Sequence, residues 1–408
     1  MPATTRARTV GTTAWRNAVF SVFALSGLGF ATWVSRIPAV RDGMSLSTST
    51  IGLLLFGLAA GSIFGLALAP AALARLGSRR ALLYAMLAMA ASTVALGLAA
   101  GVLASPALTA AVLVVFGFAF SVNDVVMNVE GSDVEKALGR TVLPMMHAFF
   151  SLGTIAGALV GSIAAGWSVP VAAHFAALGL VMAAVAAVTV RSIPLPTGTS
   201  AARAPQRGHT GPIGARLAAR LSDAGVLARD PQLLLLGLLV IGMAFAEGAA
   251  NDWLPLAAVD GHGFDNATGA LVYGTFVAAM TLGRATGGPL IDRLGRTVVL
   301  AGMASVGIVG IILFIVTDTP WVAFVAAALW GVGGSLGFPV GISAAADHPT
   351  NAARRVSMVS IFGYTAFLVG PPVLGLLGEE WGILNAFYFV AAMLAISLLV
   401  TRPATRPR

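Results

Sequence analysis

The sequence predicts an all-α membrane protein with twelve transmembrane helices in two six-helix pseudo-repeats, and three observations support this. Only 10% of the 408 residues are charged and 58% are hydrophobic, whereas soluble domains carry about 25% charged residues. The apolar residues form long unbroken runs, unlike the short alternating segments of a membrane β-barrel. A helix needs about 20 apolar residues to cross a bilayer, so twelve spans and their loops need roughly 400 residues.

Each predicted span is an apolar run bounded by polar or turn-forming residues. The predicted spans are 17–36, 50–73, 81–102, 107–129, 142–165, 169–190, 233–256, 267–289, 297–316, 321–344, 356–377 and 382–401. The first follows Arg6, Arg8 and Arg16, as the apolar run of a signal peptide would. No clear cleavage site follows it, so we interpret it as a retained span, with a removed signal as the alternative.

The basic residues orient the chain. If the N-terminus is cytoplasmic, Arg36 and Arg41 are the only Lys or Arg residues in the loops on the opposite side. Arg284 lies inside a span, and the remaining basic residues lie on the cytoplasmic side. This distribution follows the positive-inside rule, so we expect a multi-pass membrane protein with both termini in the cytoplasm. The net charge of +8 then reflects anchoring to anionic lipid head groups, and no nucleic-acid partner is expected.

A polar, Pro-rich segment divides the spans six and six. We expect an N-terminal six-helix bundle at 1–190, a cytoplasmic linker at 191–231 and a C-terminal six-helix bundle at 232–408, acting as a monomer. The halves share a repeat, because Arg-Leu-Gly-Ser-Arg at 75–79 corresponds to Arg-Leu-Gly-Arg at 293–296. Two similarly oriented halves are typical of rocker-type secondary transporters, whose solute site lies at the bilayer midplane between the halves.

Small residues recur along the second predicted span. Gly57, Gly61 and Gly65 are each four residues apart, so they share one face of a helix. The pattern predicts close packing against a neighbouring helix.

The second copy of the repeat carries a specific resemblance. The stretch Gly-Pro-Leu-Ile-Asp-Arg-Leu-Gly-Arg at 288–296 resembles the loop signature Gly-x-Leu-x-Asp-Arg-x-Gly-Arg of the major facilitator superfamily. The resemblance implies the superfamily fold over nearly the whole chain. It also implies a role in conformational change for the matching residues, which are Gly288, Asp292, Arg293, Gly295 and Arg296.

Two further stretches resemble the fucose-permease type of sugar:proton symporter. Asp-Val-Val-Met-Asn at 124–128 resembles the Glu-x-x-x-Asn of these permeases, and His-Ala-Phe-Phe-Ser-Leu-Gly at 147–153 resembles their Gln-x-Phe-Asn-x-Leu-Gly. The resemblance implies a proton-coupled carrier of a sugar or sugar-like solute. Here Asp replaces Glu, His replaces Gln, and the region 32–37 lacks the acid of the permease's first span.

Asp124 is the main candidate for a proton site. An ionisable group at membrane depth is costly and usually faces a cavity or a partner. Asn123 and Asn128 are candidate solute contacts beside it, and His147 could contact solute or pair with Asp124. The alternatives are a structural Asp124 that ties two helices together and a His147 that only packs. Glu130, nearer the cytoplasm, is expected on a solvated face with Asp133 and Glu135.

In the second half, Glu247 is the second candidate for proton coupling. Asn251 lies one turn further on the same helix face and is a candidate solute contact. A structural role for Glu247 is the alternative. Arg36 and Asp252 lie at the outer ends of the first and seventh spans, where they could form a gate, or each could face water or lipid head groups separately.

Aromatic residues inside the spans are candidates for stacking on a solute. These candidates are Trp33, Trp330, Tyr273 and Tyr364, whereas Trp253 and Trp381 are expected in the interfacial aromatic belt. The chain has no cysteine, no metal-ligand spacing of histidines and no phosphate-binding loop, so neither an enzyme nor a metal or cofactor is expected.

The predicted function is secondary active transport of a small polar solute with protons. The first alternative is a proton antiporter that exports drugs or metabolites, although the Gly-Pro-x-x-Gly-Gly signature of such antiporters is missing at 157–161. A transporter-like sensor that moves no solute is the second alternative.

Overall fold

The computed structural model describes residues 11–140, 142–195, 230–347 and 352–405, and the regular structure in these ranges is helical. The helices are α1 Thr12–Val34, α2 Ile37–Met44, α3 Thr48–Gly101, α4 Pro106–Leu138, α5 Leu143–Gly166, α6 Val171–Thr189, α7 Pro231–His262, α8 Asn266–Leu294, α9 Arg296–Val316, α10 Pro320–Gly334, α11 Gly337–Ala346, α12 Ala352–Trp381 and α13 Ile383–Ala404, with a 3₁₀ turn at Val190–Ser192. The all-α fold class predicted from the apolar runs is confirmed.

Ten helical segments within the described ranges are long and apolar enough to cross a membrane. One of them, α3, extends over 54 residues and covers the second and third predicted spans. The eighth predicted span corresponds to α8. The tenth is interrupted, because α10 ends at Gly334 and α11 begins at Gly337.

The internal repeat is visible in the backbone at its two glycines. Gly77 has φ 73° and ψ 162°, and it breaks α3 into two helical parts. Gly295 has φ 81° and ψ 152° between α8 and α9. This conformation is open essentially to glycine alone. The Arg-Leu-Gly motif therefore marks the same sharp turn in both halves.

The described chain separates into two compact units. The first consists of Met1–Trp33, Gly57–Val160 and Ser168–Ala204, and the second consists of Val34–Phe56, Gly161–Trp167 and Pro205–Arg408. The predicted linker at 191–231 lies mostly outside the described residues, so the predicted domain boundaries stay predictions.

In the first unit, the glycine row of α3 packs directly on α4. A Cβ atom added to Gly61 would lie 2.0 Å from the carbonyl oxygen of Val114, and one added to Gly65 would lie 2.4 Å from that of Phe118. Such distances leave no room for a side chain. The close packing predicted from the four-residue spacing is confirmed.

In the second unit, α7 packs against α12 and α13, while α10 packs against α8 and α9. Trp253 on α7 has no exposed surface, so its predicted place in the lipid-facing aromatic belt is wrong. The physical reason is that neighbouring helices cover this face of α7. Trp381 is 58% exposed, as a belt residue can be.

Candidate functional site

In the first unit, the predicted proton site lies in the middle of α4. The Asn128 amide donates to the backbone carbonyl of Asp124 at 2.8 Å and to its carboxylate Oδ1 at 3.4 Å. Asp124 is half-buried. Within the described part of the chain, no cationic side chain forms a salt bridge with it. The arrangement is a carboxylate with an amide neighbour and no salt-bridge partner among the residues that the structure describes.

Asn123 contacts a neighbouring helix, α1. It is fully buried, and its amide donates to the Ser26 hydroxyl of α1 at 2.6 Å. Asn123 therefore joins α4 to α1, and its side chain offers no exposed surface to the solute contact predicted for it.

His147 lies near the start of α5 and is exposed. Its imidazole packs edge-on against the Phe23 ring, with ring centroids 5.1 Å apart. The structure thus gives His147 both a packing contact with α1 and surface that the described residues leave uncovered.

Glu130 does not belong to a solvated face, so that prediction is wrong. Its side chain has no exposed surface, and the Trp15 indole donates to its Oε1 at 2.7 Å. The face of α4 that carries Glu130 is covered because α1 begins early enough to bring Trp15 onto it. Asp133 and Glu135 are only partly covered. Asp133 pairs with Lys136 at 3.0 Å, and half-buried Glu135 accepts the backbone N–H groups of Val142 and Leu143 where α5 begins.

In the second unit, Glu247 has an ionic partner that the sequence did not reveal. Arg284 of α8 donates from Nη2 to Glu247 Oε1 at 2.7 Å and from Nε to the carbonyl oxygen of Ser335 at 3.1 Å. Ser335 lies in the break between α10 and α11, where its carbonyl is free to accept. The signal in the sequence was that Arg284 is a basic residue inside an apolar span.

Asn251 and Tyr273 form a second polar contact on α7. The Tyr273 hydroxyl donates to Asn251 Oδ1 at 3.3 Å, and the Tyr273 side chain is fully buried. Asn251 is only half-buried. The contact fixes its amide one turn from Glu247 and leaves part of it accessible.

The other predicted stacking residues differ in access. Trp33 and Trp330 are enclosed by protein, and the Trp330 indole donates to the carbonyl oxygen of Ala246 at 3.0 Å. Rings of Phe276 and Phe387 meet Trp330 edge-on. These two indoles have no face open to a solute in this structure, whereas Tyr364 is 37% exposed.

An ion pair joins α2 to the C-terminal end of α7. Both guanidinium Nη groups of Arg41 donate to the carboxylate of Asp260. The pair lies further along both helices than Arg36 and Asp252, for which a gate was predicted. Arg36 is buried at the start of α2 and Asp252 is half-buried on α7, and their proposed pairing stays a prediction.

The signature loop after α8 is held by hydrogen bonds. The Gly295 N–H donates to the carbonyl oxygen of Ile291 at 2.8 Å, which closes the helix. Arg296 donates to Asp347 at 2.6 Å and to the Ser343 hydroxyl at 3.2 Å, both near the end of α11. Its neighbours Gly288, Asp292 and Arg293 keep accessible surface.

This loop and the helical architecture agree with sequence comparison. A family model described as Major Facilitator Superfamily matches residues 140–354 and 253–408. The chain belongs to the major facilitator superfamily. Its relatives in the superfamily include an uncharacterised transporter, y4wD, of Sinorhizobium fredii, which is 30% identical over 97% of this chain and 98% of its own. An uncharacterised MFS-type transporter of Yersinia pestis is also 30% identical, over 94% of both chains.

Solved structures share the superfamily fold at low sequence identity. A single-residue variant of the nucleoside transporter NupG aligns with a TM-score of 0.76 and 14% identity over 97% of this chain and 100% of its own. A single-residue variant of the Escherichia coli fucose:proton symporter FucP aligns with a TM-score of 0.63 and 17% identity over 96% and 98% of the two chains. These similarities establish the fold.

Proposed function

We propose that this superfamily member is a proton-coupled secondary transporter of a small polar solute in a bacterial inner membrane, with both termini in the cytoplasm. The observation that carries the proposal is Asp124, an acid in the middle of α4. It has an amide neighbour and no salt-bridge partner among the described residues. The names of FucP and NupG support a polar, sugar-containing class of solute, and that of FucP supports proton coupling.

The chemistry of Asp124 suits a proton carrier. An ionised carboxylate is costly inside a bilayer, and no described positive charge offsets it here. An amide such as that of Asn128 can hydrogen-bond to either form of the acid, donating to the ionised form and accepting from the protonated one. Alternating exposure to the two sides of the membrane would load and release the proton in turn.

Glu247 is the second proton site in this proposal, but its chemistry differs. Arg284 lies within salt-bridge distance of Glu247 and offsets its charge. Glu247 becomes available for protonation only when the guanidinium is drawn elsewhere. Asn128, His147, Asn251 and Tyr364 are the proposed solute contacts because each keeps accessible surface.

The test is solute-driven proton movement in proteoliposomes containing the purified protein. Sugars and nucleosides are first screened by thermal shift, and the most stabilising compound is applied as an inward gradient while lumenal pH is recorded. Acidification of the lumen supports symport. Alkalinisation would identify an antiporter, and counterflow of labelled compound with no pH change would refute proton coupling. Absence of both counterflow and pH change would refute transport in favour of sensing.

A further inference from the structure

Arg284 has hydrogen-bonding capacity that its described partners leave unused. Every nitrogen of a guanidinium carries N–H donors. Nε is bound by the Ser335 carbonyl and Nη2 by one oxygen of Glu247, while Nη1 makes no hydrogen bond to any described residue. The Nη1 edge of the guanidinium therefore has no hydrogen-bond partner among the described residues.

The two side chains of the pair differ in exposure. The Arg284 side chain is 38% exposed, compared with 13% for Glu247. Arg355 provides a contrast in the same unit, because its side chain is 3% exposed and is paired with Asp230. The described residues therefore leave part of the Arg284 side chain uncovered, while Arg355 is packed and paired.

The backbone holds the guanidinium firmly. Ser335 occupies the break between α10 and α11, and a Cβ atom on Gly283 would lie 2.4 Å from the Ser335 hydroxyl oxygen. Gly283 immediately precedes Arg284, so the close approach of α8 to the break fixes where the side chain begins. The bond from Nε to Ser335 then sets the direction of the fork.

We propose that Arg284 binds a carboxylate of the transported solute, so that the solute is a small organic anion. A carboxylate matches the planar fork of a guanidinium and can bind through two parallel hydrogen bonds. Glu247 now uses one oxygen on one nitrogen, and it occupies the guanidinium while no solute is bound. The solute carboxylate displaces Glu247, which becomes free to take a proton. This inference rests on the proposed function and specifies its solute class.

The test compares matched solutes that differ in one carboxylate. The full-length protein in detergent is titrated with D-galacturonate or D-galactose, and with D-gluconate or D-sorbitol, using thermal shift and calorimetry. The carboxylate of at least one pair should bind and its neutral counterpart should not. Arg284→Gln should weaken that binding by about tenfold or more, because bonds to a charged group are lost. Glu247→Gln should strengthen it, because the competing anion is removed.

An arginine outside the proposed site provides the control. Arg402→Gln removes an exposed arginine from the end of α13 and should leave binding unchanged. Failure of both carboxylates to bind, equal binding of the neutral compounds, or binding that survives Arg284→Gln overturns the proposal. If Arg284→Gln does not fold, Glu247→Gln decides, and weaker binding by that variant overturns it.

The two proposals can fail separately. Proton-coupled uptake of a neutral sugar by the wild-type protein, with no carboxylate bound, would retain the proposed function and overturn the Arg284 assignment. Arg284-dependent carboxylate binding without proton movement would retain the Arg284 assignment and overturn the proposed proton coupling.

Discussion

Single charged residues at helix ends and inside helices determine much of the chemistry of this chain. Asp230 is an example at the start of α7, where its Oδ1 accepts the backbone N–H of Gln232 at 3.0 Å and that of Leu233 at 3.3 Å. Its other carboxylate oxygen accepts from buried Arg355 of α12. One side chain thus caps a helix and neutralises a buried cation.

The pKa of Asp230 should make part of the stability dependent on pH. Burial alone would raise the pKa of this carboxyl, but the hydrogen bond from Arg355 and those from the backbone outweigh burial and hold the pKa below its usual range. A carboxyl whose pKa is lowered by folding stabilises the native state at pH values above its unfolded pKa of about 3.9. This stabilisation is lost as the pH falls through the pKa of the folded state.

We therefore expect Asp230→Asn to lower the free energy of unfolding by about 1–3 kcal/mol at pH 7, because Arg355 loses its anion. The difference from wild type should shrink as the pH falls below about 4. Thermal unfolding at a series of pH values measures both effects. Asp133→Asn, which breaks an exposed pair on α4, is the matched control and should change stability little. A difference that persists unchanged in acid would contradict this account.

At the level of helices, the sequence predicts well which segments are helical and predicts poorly which helix faces meet. Apolar runs locate the helices because a segment that crosses the membrane must form hydrogen bonds among its own backbone groups. The break between the second and third predicted spans and the packing of Gly61 also follow from local pattern. The burial of Glu130 and Trp253 and the pairing of Glu247 with Arg284 do not, because they depend on which faces of separate helices meet.

Helix packing predicts that alanine at two different glycine positions changes the free energy of unfolding in opposite directions. Gly61→Ala should destabilise the protein by about 1–3 kcal/mol, because the new Cβ would overlap the carbonyl of Val114 and force the helices apart. Gly302→Ala in α9 meets nothing within 4 Å and should stabilise it by up to about 1 kcal/mol. Thermal unfolding of the two variants measures both. Equal effects at the two positions would contradict the packing described for α3 and α4.

The Arg41–Asp260 pair predicts coupling between α2 and α7. Arg41→Gln and Asp260→Asn should each destabilise the protein, and the double variant should cost less than their sum by about 1 kcal/mol. A double-mutant cycle of thermal unfolding measures the coupling, and the charge swap Arg41→Asp with Asp260→Arg should recover part of it. Additive single effects would show that the two side chains do not stabilise the native state together.

At the scale of the whole molecule, the basic loops predict the orientation in the membrane. The natural chain contains no cysteine, so single cysteines report one position each. We expect Gly43→Cys, at an exposed position of α2, to react with a membrane-impermeant maleimide from outside intact cells, and Ser200→Cys in the predicted linker to react only after lysis. The reverse pattern of labelling would contradict the predicted orientation.

If Asp124 couples solute movement to protons, the variant Asp124→Asn in proteoliposomes should separate the two. Asparagine keeps the size of the side chain and its hydrogen bonding but cannot carry a proton. We predict that exchange of labelled solute across the membrane survives in this variant, while uphill accumulation driven by a pH gradient is lost. Asp133→Asn, on the same helix, should retain both activities. Proton flux at the wild-type stoichiometry in Asp124→Asn would contradict the claim and leave Asp124 a structural residue.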